Sequence, residues 1–360
     1  MSLPRIAVVV GTRPEIIKMA PVVRACQKKK VPFLLLHTGQ HYSFELDGVF
    51  FDQLGLPAAD HNLEVGSGSH AYQIGAIVSG MDALLSREKP DWVLVQGDTN
   101  TVLAAGLTAH KLGIKVGHVE AGLRSYDRNM PEEINRILTD HLSDLLFAPT
   151  THARTILRGE GVGEERIRVT GNTVVDELML QRERVPMNGL LERFGVEPRK
   201  FALATVHRAE NVDDETRLRG IFEGLAGIAR DLGFQVLAAL HPRTSKMLEA
   251  LGVRVDGAVR LLPPLGYLEF LGLHREAGLM VTDSGGLQEE ACCLHVPCVT
   301  LRDNTERPES LEVGANILAG AESANIVRCA RAMQSKARDW PNPFGDGHSG
   351  ERIVDLLIGG

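Results

Sequence analysis

Short apolar runs alternate with longer segments of helical periodicity along most of the chain. In the first half, brief and often β-branched runs predict strands at residues 5–10, 33–36, 92–96, 115–119 and 166–170. Between these strands, apolar residues recur at helical spacing in residues 14–29, 71–87, 101–112 and 132–144. Continuous apolar strands separated by helices are typical of a parallel sheet that is covered on both faces.

The alternation stops near residue 180 and then resumes. Residues 181–198 are rich in Arg, Glu, Pro and Gly, which is typical of a linker. Further strands are predicted at residues 201–206, 235–240, 259–262, 279–282 and 298–301. We therefore expect an α/β protein with two Rossmann-like, doubly wound domains, residues 1–180 and 181–341, which face a cleft. A helix at residues 350–357 is expected to carry the segment 342–360 back to the first domain.

Composition and charge narrow the classes of protein that fit this pattern. Of the 360 residues, 44% are apolar and 24% are charged, as in ordinary globular proteins. The 46 acidic residues outnumber the 39 basic ones, so the chain lacks the basic surplus typical of nucleic-acid binders. Its apolar runs, such as residues 6–10, are far shorter than the roughly 18 residues that span a bilayer. We expect a cytoplasmic protein without a nucleic-acid or membrane partner.

Neither the cysteines nor the glycine motifs predict a cofactor. The five cysteines include no Cys-x-x-Cys pair, and Cys292, Cys293 and Cys298 lack the spacing of zinc ligands. They are expected to be buried thiols in a reducing compartment. Residues 345–350 match Gly-x-Gly-x-x-Gly and residues 66–71 match its looser form ending in Ala, but both lack the preceding strand that a dinucleotide site requires. Neither NAD nor a metal ion is therefore expected.

The first candidate site follows the first predicted strand, in the segment GTRPEIIK at residues 11–18. Pro14 suits the first position of a helix, and the free N–H groups at a helix start attract anions. Arg13 and Lys18 add two cations at this end, where cations otherwise oppose the helix macrodipole. The segment therefore indicates an anion-binding site rather than a solvated helix start.

Acidic residues follow two further strands of the first half. Asp98 and Glu120 each end a predicted strand, so both are expected at the carboxyl edge of the sheet, where ligands bind. Asp98 has an alternative role as the cap of the next helix, whereas Glu120 has no equally simple explanation. Glu132 and Glu133 follow Pro131 at a helix start, where the dipole alone favours acids, although either could face the ligand.

The second half repeats this arrangement of polar residues at strand ends. His207 and Arg208 follow a predicted strand, and a His-Arg pair there suits contact with phosphate. The turn TDSGG at residues 282–286 lets the backbone approach a phosphate closely. One turn further, the acidic pair at residues 289–290 could accept hydrogen bonds from ribose hydroxyls, and Arg307 supplies another cation.

These segments together resemble the non-hydrolysing UDP-N-acetylglucosamine 2-epimerase family nearly from end to end. The resemblance is carried by GTRPEIIKMAPV (11–22), TGQHY (38–42), GDTNTV (97–102), HVEAGLRS (118–125), PEEINR (131–136), VTGNTVVDEL (169–178), HRAEN (207–211), TDSGGLQEEA (282–291) and RDNTERPE (302–309). So many ordered motifs at family-like spacing are far more specific than any single motif.

The resemblance implies a fold, an activity and a set of site residues. The fold is a pair of Rossmann-like domains of the glycosyltransferase-B type, usually as a homodimer. The activity is interconversion of UDP-N-acetylglucosamine and UDP-N-acetylmannosamine without NAD or metal. The residues implied for the UDP part are Arg13, His207, Phe270, Ser284, Gly285, Gly286, Glu290 and Arg307. The residues implied around the sugar are Lys18, Asp98, Glu120 and Glu132, and the catalytic candidates are these four together with His207.

The chemistry that the resemblance implies is an elimination followed by an addition. A base takes the proton from carbon 2 while UDP leaves carbon 1, which gives 2-acetamidoglucal, and UDP then adds back with protonation from the other face. The route needs a carboxylate base, an acid for the return and cations for the leaving diphosphate.

Two departures from the family bear on substrate and regulation. Residues 125–130 are shorter than the aromatic-containing segment of many bacterial members, so a UDP-2,3-diacetamido uronic acid is an alternative substrate. The Gln-His pair that binds an activating second UDP-N-acetylglucosamine is present as Gln40 and His41, but residues 66–70 lack the accompanying Arg. A UDP-sugar glycosyltransferase, a hydrolysing epimerase and a nucleotide-sugar sensor are the other interpretations.

Overall fold

The computed structural model describes residues 3–40, 51–52, 54–185 and 187–359. The chain forms two compact units. Unit 1 consists of Met1–Met179 together with Phe344–Gly360, and unit 2 consists of Leu180–Pro343. Each unit is built on a parallel sheet flanked by helices, so the expected α/β class with two doubly wound units is confirmed.

Unit 1 contains a seven-stranded parallel sheet in the order β3-β2-β1-β4-β5-β6-β7. Its strands are β1 (Ile6–Val10), β2 (Phe33–His37), β3 (His61–Asn62), β4 (Trp92–Gln96), β5 (Lys115–Val119), β6 (Leu145–Ala148) and β7 (Ile167–Val169). Strands β1 and β4 are buried along their whole length, because helices cover both faces of the sheet. The strand order reverses between these two strands, which is where ligands bind in open α/β sheets.

The described helices of unit 1 begin at caps and prolines that the sequence supplies. They are α1 (Arg13–Lys29), α2 (His70–Glu88), α3 (Asn100–Lys111), α4 (Pro131–Leu142), α5 (Thr151–Gly159) and α6 (Thr173–Gln181). Ser69 and Thr99 accept backbone hydrogen bonds at the starts of α2 and α3, and Pro131 opens α4. The turns before α1 and α3 are therefore short segments with fixed ends, which follow β1 and β4 directly.

Unit 2 contains a six-stranded parallel sheet in the order β10-β9-β8-β11-β12-β13. Its strands are β8 (Phe201–Thr205), β9 (Gln235–Ala239), β10 (Val259–Leu262), β11 (Leu279–Thr282), β12 (Cys298–Thr300) and β13 (Asn316–Leu318). Its described helices are α7 (Leu190–Phe194), α8 (Ala209–Val212), α9 (Glu215–Leu232), α10 (Pro242–Ala250), α11 (Tyr267–Glu276), α12 (Gly285–Cys293), α13 (Pro308–Glu312) and α14 (Ser323–Gln334). The strand order reverses between β8 and β11, so this unit repeats the arrangement of unit 1.

A further helix, α15 (Ser349–Ile358), follows unit 2 in sequence but packs on α1 of unit 1. Gly350 permits the close approach, because a Cβ there would come within 2.7 Å of the carbonyl carbon of Pro21. The carboxylate of Asp176 accepts hydrogen bonds from the N–H groups of Ser349 and Gly350 at 3.0 and 2.8 Å. These contacts fix the start of α15 on unit 1.

Most predicted strands agree with the structure to within one or two residues, but three strands were not predicted. Strands β3, β6 and β13 contain only two, four and three residues. The helix predicted over residues 132–144 was too long at its carboxyl end, since α4 ends at Leu142 and β6 begins at Leu145. Periodicity alone cannot separate a helix end from an apolar strand that follows after two residues.

Candidate active site

The turn between β1 and α1 is organised around the buried carboxylate of Glu15. Its Oε2 accepts hydrogen bonds from the N–H groups of Gly11 and Thr12 at 2.6 and 2.7 Å. Its Oε1 accepts a hydrogen bond from the hydroxyl of Thr99 at 2.5 Å. Burial raises the pKa of Glu15 to about 7, although these hydrogen bonds favour the charged form. Glu15 thus joins the turn after β1 to the turn after β4.

Lys18 and Glu120 form an ion pair at the same edge of the sheet. The Nζ of Lys18 lies 2.5 Å from Oε2 of Glu120, and the side-chain amide of Gln96 donates to the same oxygen at 2.8 Å. Only 12% of the Lys18 side chain and 4% of the Glu120 side chain are exposed. Glu120 has a left-handed backbone with a φ of 68°, an uncommon and strained conformation for a residue other than glycine. Arg13 is exposed at the first position of α1.

Asp98 is held by side chains of α4. Its Oδ2 lies 2.7 Å from the guanidinium of Arg136, and its backbone carbonyl accepts a hydrogen bond from the amide of Asn135 at 2.9 Å. The Asp98 side chain is 30% exposed, so it remains accessible although it is paired with a cation. The alternative role as a helix cap does not apply, because the hydroxyl of Thr99 caps α3.

The two glutamates at the start of α4 have different environments. Glu133 is buried, accepts hydrogen bonds from the N–H groups of Ser125 and Tyr126 at 3.0 and 2.8 Å, and lies 2.5 Å from Arg136. Glu132 is half-buried in the same turn. Glu132 and Arg136 are four residues apart, which places them on one face of α4. Glu133 therefore anchors the loop that precedes α4, and Glu132 shares a helix face with the residue that binds Asp98.

Gln40 is one of the two residues that the resemblance implies for binding an activating nucleotide sugar, and its side chain forms hydrogen bonds within the protein. The Oε1 of Gln40 accepts hydrogen bonds from the N–H and the hydroxyl of Thr101 at 3.0 and 2.7 Å. Gln40 is therefore a buried contact at the start of α3. His41 lies outside the described residues. In the segment 66–70, His70 lies with its Nδ1 3.3 Å from Oδ1 of Asn100.

In unit 2, the carboxylate of Asp283 joins the turns after β8 and β11. It accepts hydrogen bonds from the N–H groups of His207 and Arg208, both at 3.0 Å, and from the amide of Asn211 at 3.1 Å. Burial opposes its ionisation, but the contacts with His207, Arg208 and Asn211 lower the pKa of Asp283. The Nδ1 of His207 lies 2.8 Å from Asp283, and 44% of the His207 side chain is exposed. Asp283 thus orients an imidazole toward solvent at a strand end.

A pocket of about 280 Å³ opens at this edge of unit 2. His207, Phe270 and Ser284 contribute to its lining, and Ser284 is the N-cap of α12. Gly285 follows at the first position of that helix, where a Cβ would lie 3.1 Å from the guanidinium of Arg307. A side chain at Gly285 would therefore crowd Arg307. Beside Gly286 there is open space.

The two acidic residues of α12, Glu289 and Glu290, contact different side chains. Glu289 is fully buried and lies 3.1 Å from Nε of Arg307, which also lies 3.5 Å from Glu306. Glu290 is slightly exposed, and its carboxylate lies 3.7 Å from Nδ1 of the buried His274. Glu289 therefore positions Arg307, whereas Glu290 is the member of the pair that remains partly accessible.

Several residues that organise these strand ends were not identified from the sequence. They are Glu15, His118, Asn135, Arg136, Asp140 and Asp283. One signal was present for part of this set, since Glu132, Arg136 and Asp140 recur at intervals of four on a predicted helix and so share one face. The others are polar residues whose burial depends on contacts distant in sequence.

The described parts of the chain contain no group of three or more His, Cys, Asp or Glu side chains placed to hold a metal ion. All five cysteines are free thiols, and all except Cys293 are buried. Burial raises the pKa of Cys26, Cys292 and Cys298 to about 12, so these thiols are protonated near neutral pH. Among the described helices, none is long and apolar enough to span a bilayer.

Comparison with known proteins relates the chain to one family. A family model for UDP-N-acetylglucosamine 2-epimerase matches residues 24–358. The UDP-N-acetylglucosamine 2-epimerase of Methanococcus maripaludis is 49% identical over 99% of this chain and 98% of its own. The UDP-2,3-diacetamido-2,3-dideoxy-D-glucuronate 2-epimerase of Pseudomonas aeruginosa is 40% identical over 98% of this chain and 99% of its own. The crystal structure of Methanocaldococcus jannaschii UDP-GlcNAc 2-epimerase in complex with UDP-GlcNAc and UDP has a TM-score of 0.93 and 48% identity, and the match covers 99% of this chain and 100% of that one.

Proposed function

The chain belongs to the UDP-N-acetylglucosamine 2-epimerase family, and from this premise we propose that it interconverts UDP-N-acetylglucosamine and UDP-N-acetylmannosamine. As a member of this family it is an isomerase. The observation that carries the proposal is the placement of Asp98 and Glu120, each beside a cation, at neighbouring strand ends of unit 1. Such carboxylates suit proton transfer, for which a glycosyltransferase or a sensor has less use.

Epimerisation at carbon 2 proceeds here by elimination, because the hydrogen on that carbon is not acidic. A base removes the proton from carbon 2 while the bond between carbon 1 and the UDP oxygen breaks, which gives 2-acetamidoglucal and UDP. UDP then adds to carbon 1 again, and carbon 2 is protonated from the opposite face. The enzyme must therefore accept a proton on one face, donate one on the other and stabilise the leaving diphosphate.

We assign the proton transfers to carboxylates of unit 1. Asp98 lies 2.7 Å from Arg136 and Glu120 lies 2.5 Å from Lys18, and a carboxylate at such a strand end can accept a proton. Glu132 is the third candidate, since it shares a helix face with Arg136. The strained backbone of Glu120 is in keeping with this role, because such conformations cluster at active sites.

We assign UDP to unit 2. Phe270 is a wall of the pocket suited to the uracil ring, and the N–H groups at the start of α12, after Ser284, suit the diphosphate. Arg307 adds positive charge for the leaving group, and the partly exposed imidazole of His207 is placed to donate a hydrogen bond to it. Glu290, which is partly accessible, is the candidate acceptor for the ribose hydroxyls.

The proposal is tested by incubating the protein with UDP-N-acetylglucosamine in heavy water and following the product by NMR. We expect UDP-N-acetylmannosamine with deuterium at carbon 2. Retention of the original hydrogen at carbon 2 would rule out elimination, whereas release of free N-acetylmannosamine would indicate a hydrolysing enzyme.

A variant tests the role of Asp98. Asp98→Asn keeps the size of the side chain but cannot accept a proton, so kcat should fall by roughly 100-fold or more while UDP affinity stays within a few-fold. Asp82→Asn, at an exposed position of α2, is the matched control and should retain the wild-type kcat. A wild-type kcat in Asp98→Asn would remove this residue from the proton transfers.

A related UDP-2-acetamido sugar is the second candidate substrate. It is supported by the Pseudomonas aeruginosa relative, whose name specifies a UDP-2,3-diacetamido glucuronate, and by the short segment at residues 125–130. Measuring kcat/KM for both UDP-sugars side by side decides between them. A higher value for the diacetamido uronic acid would replace UDP-N-acetylglucosamine in the proposal.

We also propose that the enzyme is a homodimer and works in the cytoplasm. The dimer rests on the family resemblance, and the location rests on the apolar runs of the sequence, which are too short to span a bilayer. Light scattering during gel filtration should give a mass twice that of one chain, and the mass of a single chain would contradict the dimer.

A further inference from the structure

A buried charge network lies behind the candidate acid–base residues of unit 1. His118 of β5 and Asp140 of α4 are both fully shielded from solvent. The Nδ1 of His118 lies 2.7 Å from Oδ1 of Asp140, and its Nε2 lies 2.8 Å from the carbonyl oxygen of Gly97. The imidazole therefore bridges α4 and the backbone at the end of β4.

The contacts of the ring define its protonation state. Asp140 also lies 2.7 Å from the guanidinium of Arg124 and accepts a hydrogen bond from the N–H of Gly122 at 3.2 Å. The guanidinium and the backbone N–H can only donate hydrogen bonds. Burial alone would raise the pKa of Asp140, but His118 and Arg124 lower it, so the carboxyl is an ionised acceptor. A carbonyl oxygen also only accepts. Both ring nitrogens of His118 must then donate, which makes the ring an imidazolium cation.

The charges around the imidazolium balance. Arg124 lies 2.6 Å from Glu160 as well as beside Asp140, so the network contains two cations and two carboxylates. Glu160 is 27% exposed, and His141 lies 4.0 Å from it at the outer side. A buried charge is tolerated when it is paired and hydrogen-bonded, and His118 meets both conditions.

The hydrogen bond from Nε2 of His118 acts on the peptide group that joins Gly97 to Asp98. The carbonyl of Gly97 and the N–H of Asp98 belong to one planar peptide group, so the bond from His118 orients the backbone from which the carboxylate projects. Gly97 itself has a φ of 83° and the wide conformational freedom of glycine, so it does not fix this plane alone. On the other side, Asn135 holds the carbonyl of Asp98 and Arg136 holds its carboxylate.

We propose that His118, as an imidazolium, is a positioning residue that holds Asp98 where proton transfer at carbon 2 requires it. This role rests on the proposed function, since it assumes that Asp98 exchanges a proton with the sugar. His118 acts through Gly97 and is shielded from solvent, so it is not itself a catalytic residue. Helix α4 then controls Asp98 directly, from Asn135 and Arg136, and indirectly through His118.

Two amide variants separate the two bonds of the ring. The amide of His118→Gln reaches about as far as Nε2 and can still donate to Gly97, whereas the amide of His118→Asn reaches only the position of Nδ1, beside Asp140. We expect His118→Asn to lower kcat by roughly 100-fold with KM and UDP affinity within a few-fold, because a displacement of about 1 Å costs that much. His118→Gln should keep kcat within about 10-fold, since it retains the bond that matters.

The control variant is His110→Asn, an exposed histidine of α3 that should keep the wild-type kcat. Equal losses of kcat in both His118 variants, or a wild-type kcat in His118→Asn, would overturn the proposal. A purely structural role would lower the melting temperature of both variants without separating their kcat values.

A measurement on the unmodified enzyme does not depend on how the variants fold. NMR of protein labelled with ¹⁵N-histidine, with His118 assigned through its neighbours in β5, should show a proton on each ring nitrogen at pH 7.5. A ring with one bare nitrogen would overturn the proposal. Failure of the proposed function would appear differently, as a lack of epimerisation and of deuterium incorporation with the ring still doubly protonated.

Discussion

The buried carboxyl of Glu15 should make the stability of unit 1 fall as the pH rises toward neutrality. Its pKa is about 7 in the folded protein, compared with 4.5 for an unperturbed glutamate. Between these two values the folded state binds the proton more readily than the unfolded state does. The contribution of this group to the stability of the folded state is therefore fully present below about pH 4.5. That contribution is lost as the pH rises through 7.

The difference between 4.5 and about 7 sets the size of the effect. At 1.36 kcal/mol per pKa unit, the wild type loses about 3 kcal/mol of unfolding free energy at pH 8 because of Glu15. At pH 5 the loss is only about 1 kcal/mol, because there the carboxyl ionises mainly in the unfolded state. Glu15→Gln preserves the local contacts, because its oxygen can accept from Gly11 and Thr12 while its amide donates to the hydroxyl of Thr99. The variant should then be more stable than the wild type by about these amounts.

Thermal unfolding of both proteins between pH 5 and pH 8 measures the difference. For a unit of this size, 3 kcal/mol corresponds to roughly 6–12 °C in melting temperature. Glu165→Gln, at an exposed position of the same unit, is the matched control and should show no pH-dependent difference from the wild type. A difference in melting temperature between the two proteins that is the same at every pH would refute the reasoning. A wild type more stable than Glu15→Gln at pH 8 would mean that the hydrogen bonds to Glu15 outweigh its burial.

Three further predictions concern binding, kinetics and packing. His207→Ala and Arg307→Ala should each weaken UDP binding by about 1.5–3 kcal/mol in calorimetry, the scale of a hydrogen bond to a charged group, and unchanged affinity in both would remove them from the site. Initial rates should saturate with UDP-N-acetylglucosamine without a sigmoidal onset, since the side-chain oxygen of Gln40 is already engaged, and a sigmoidal curve would contradict this. Gly350→Ala should lower the melting temperature, because its Cβ would overlap Pro21 at a cost of about 1–3 kcal/mol, and an unchanged value would mean that α15 moves away freely.

The positions of the strand ends could be predicted because they depend on local sequence. The apolar runs of β1 and β4 are followed by Gly11 and Gly97, which mark the turns that carry Arg13 and Asp98. Parallel strands place their carboxyl ends at one edge, so the clustering of candidate residues follows from the strand pattern alone. The same reasoning placed His207 beside the turn after β11 in unit 2.

The pairings among polar and charged residues could not be predicted because they join distant parts of the chain. Glu15 and Thr99 are 84 residues apart, and His207 and Asp283 are 76 residues apart, yet each pair is in hydrogen-bond contact. Local sequence shows that such residues are polar but not that they are buried. The distinction between Glu132 and Glu133 likewise depends on which of them reaches the loop at residues 125–126.

The return of α15 to unit 1 has a consequence for synthesis of the protein on the ribosome. Helix α1 emerges early, but α15, which covers it near Pro21, is translated only after the whole of unit 2. About 320 residues separate the end of α1 from the start of α15, which corresponds to roughly 15–60 s of elongation. During that time the nascent chain carries an uncovered surface on α1, a natural target for chaperones. The unit that is translated first is therefore the one whose folding is completed last.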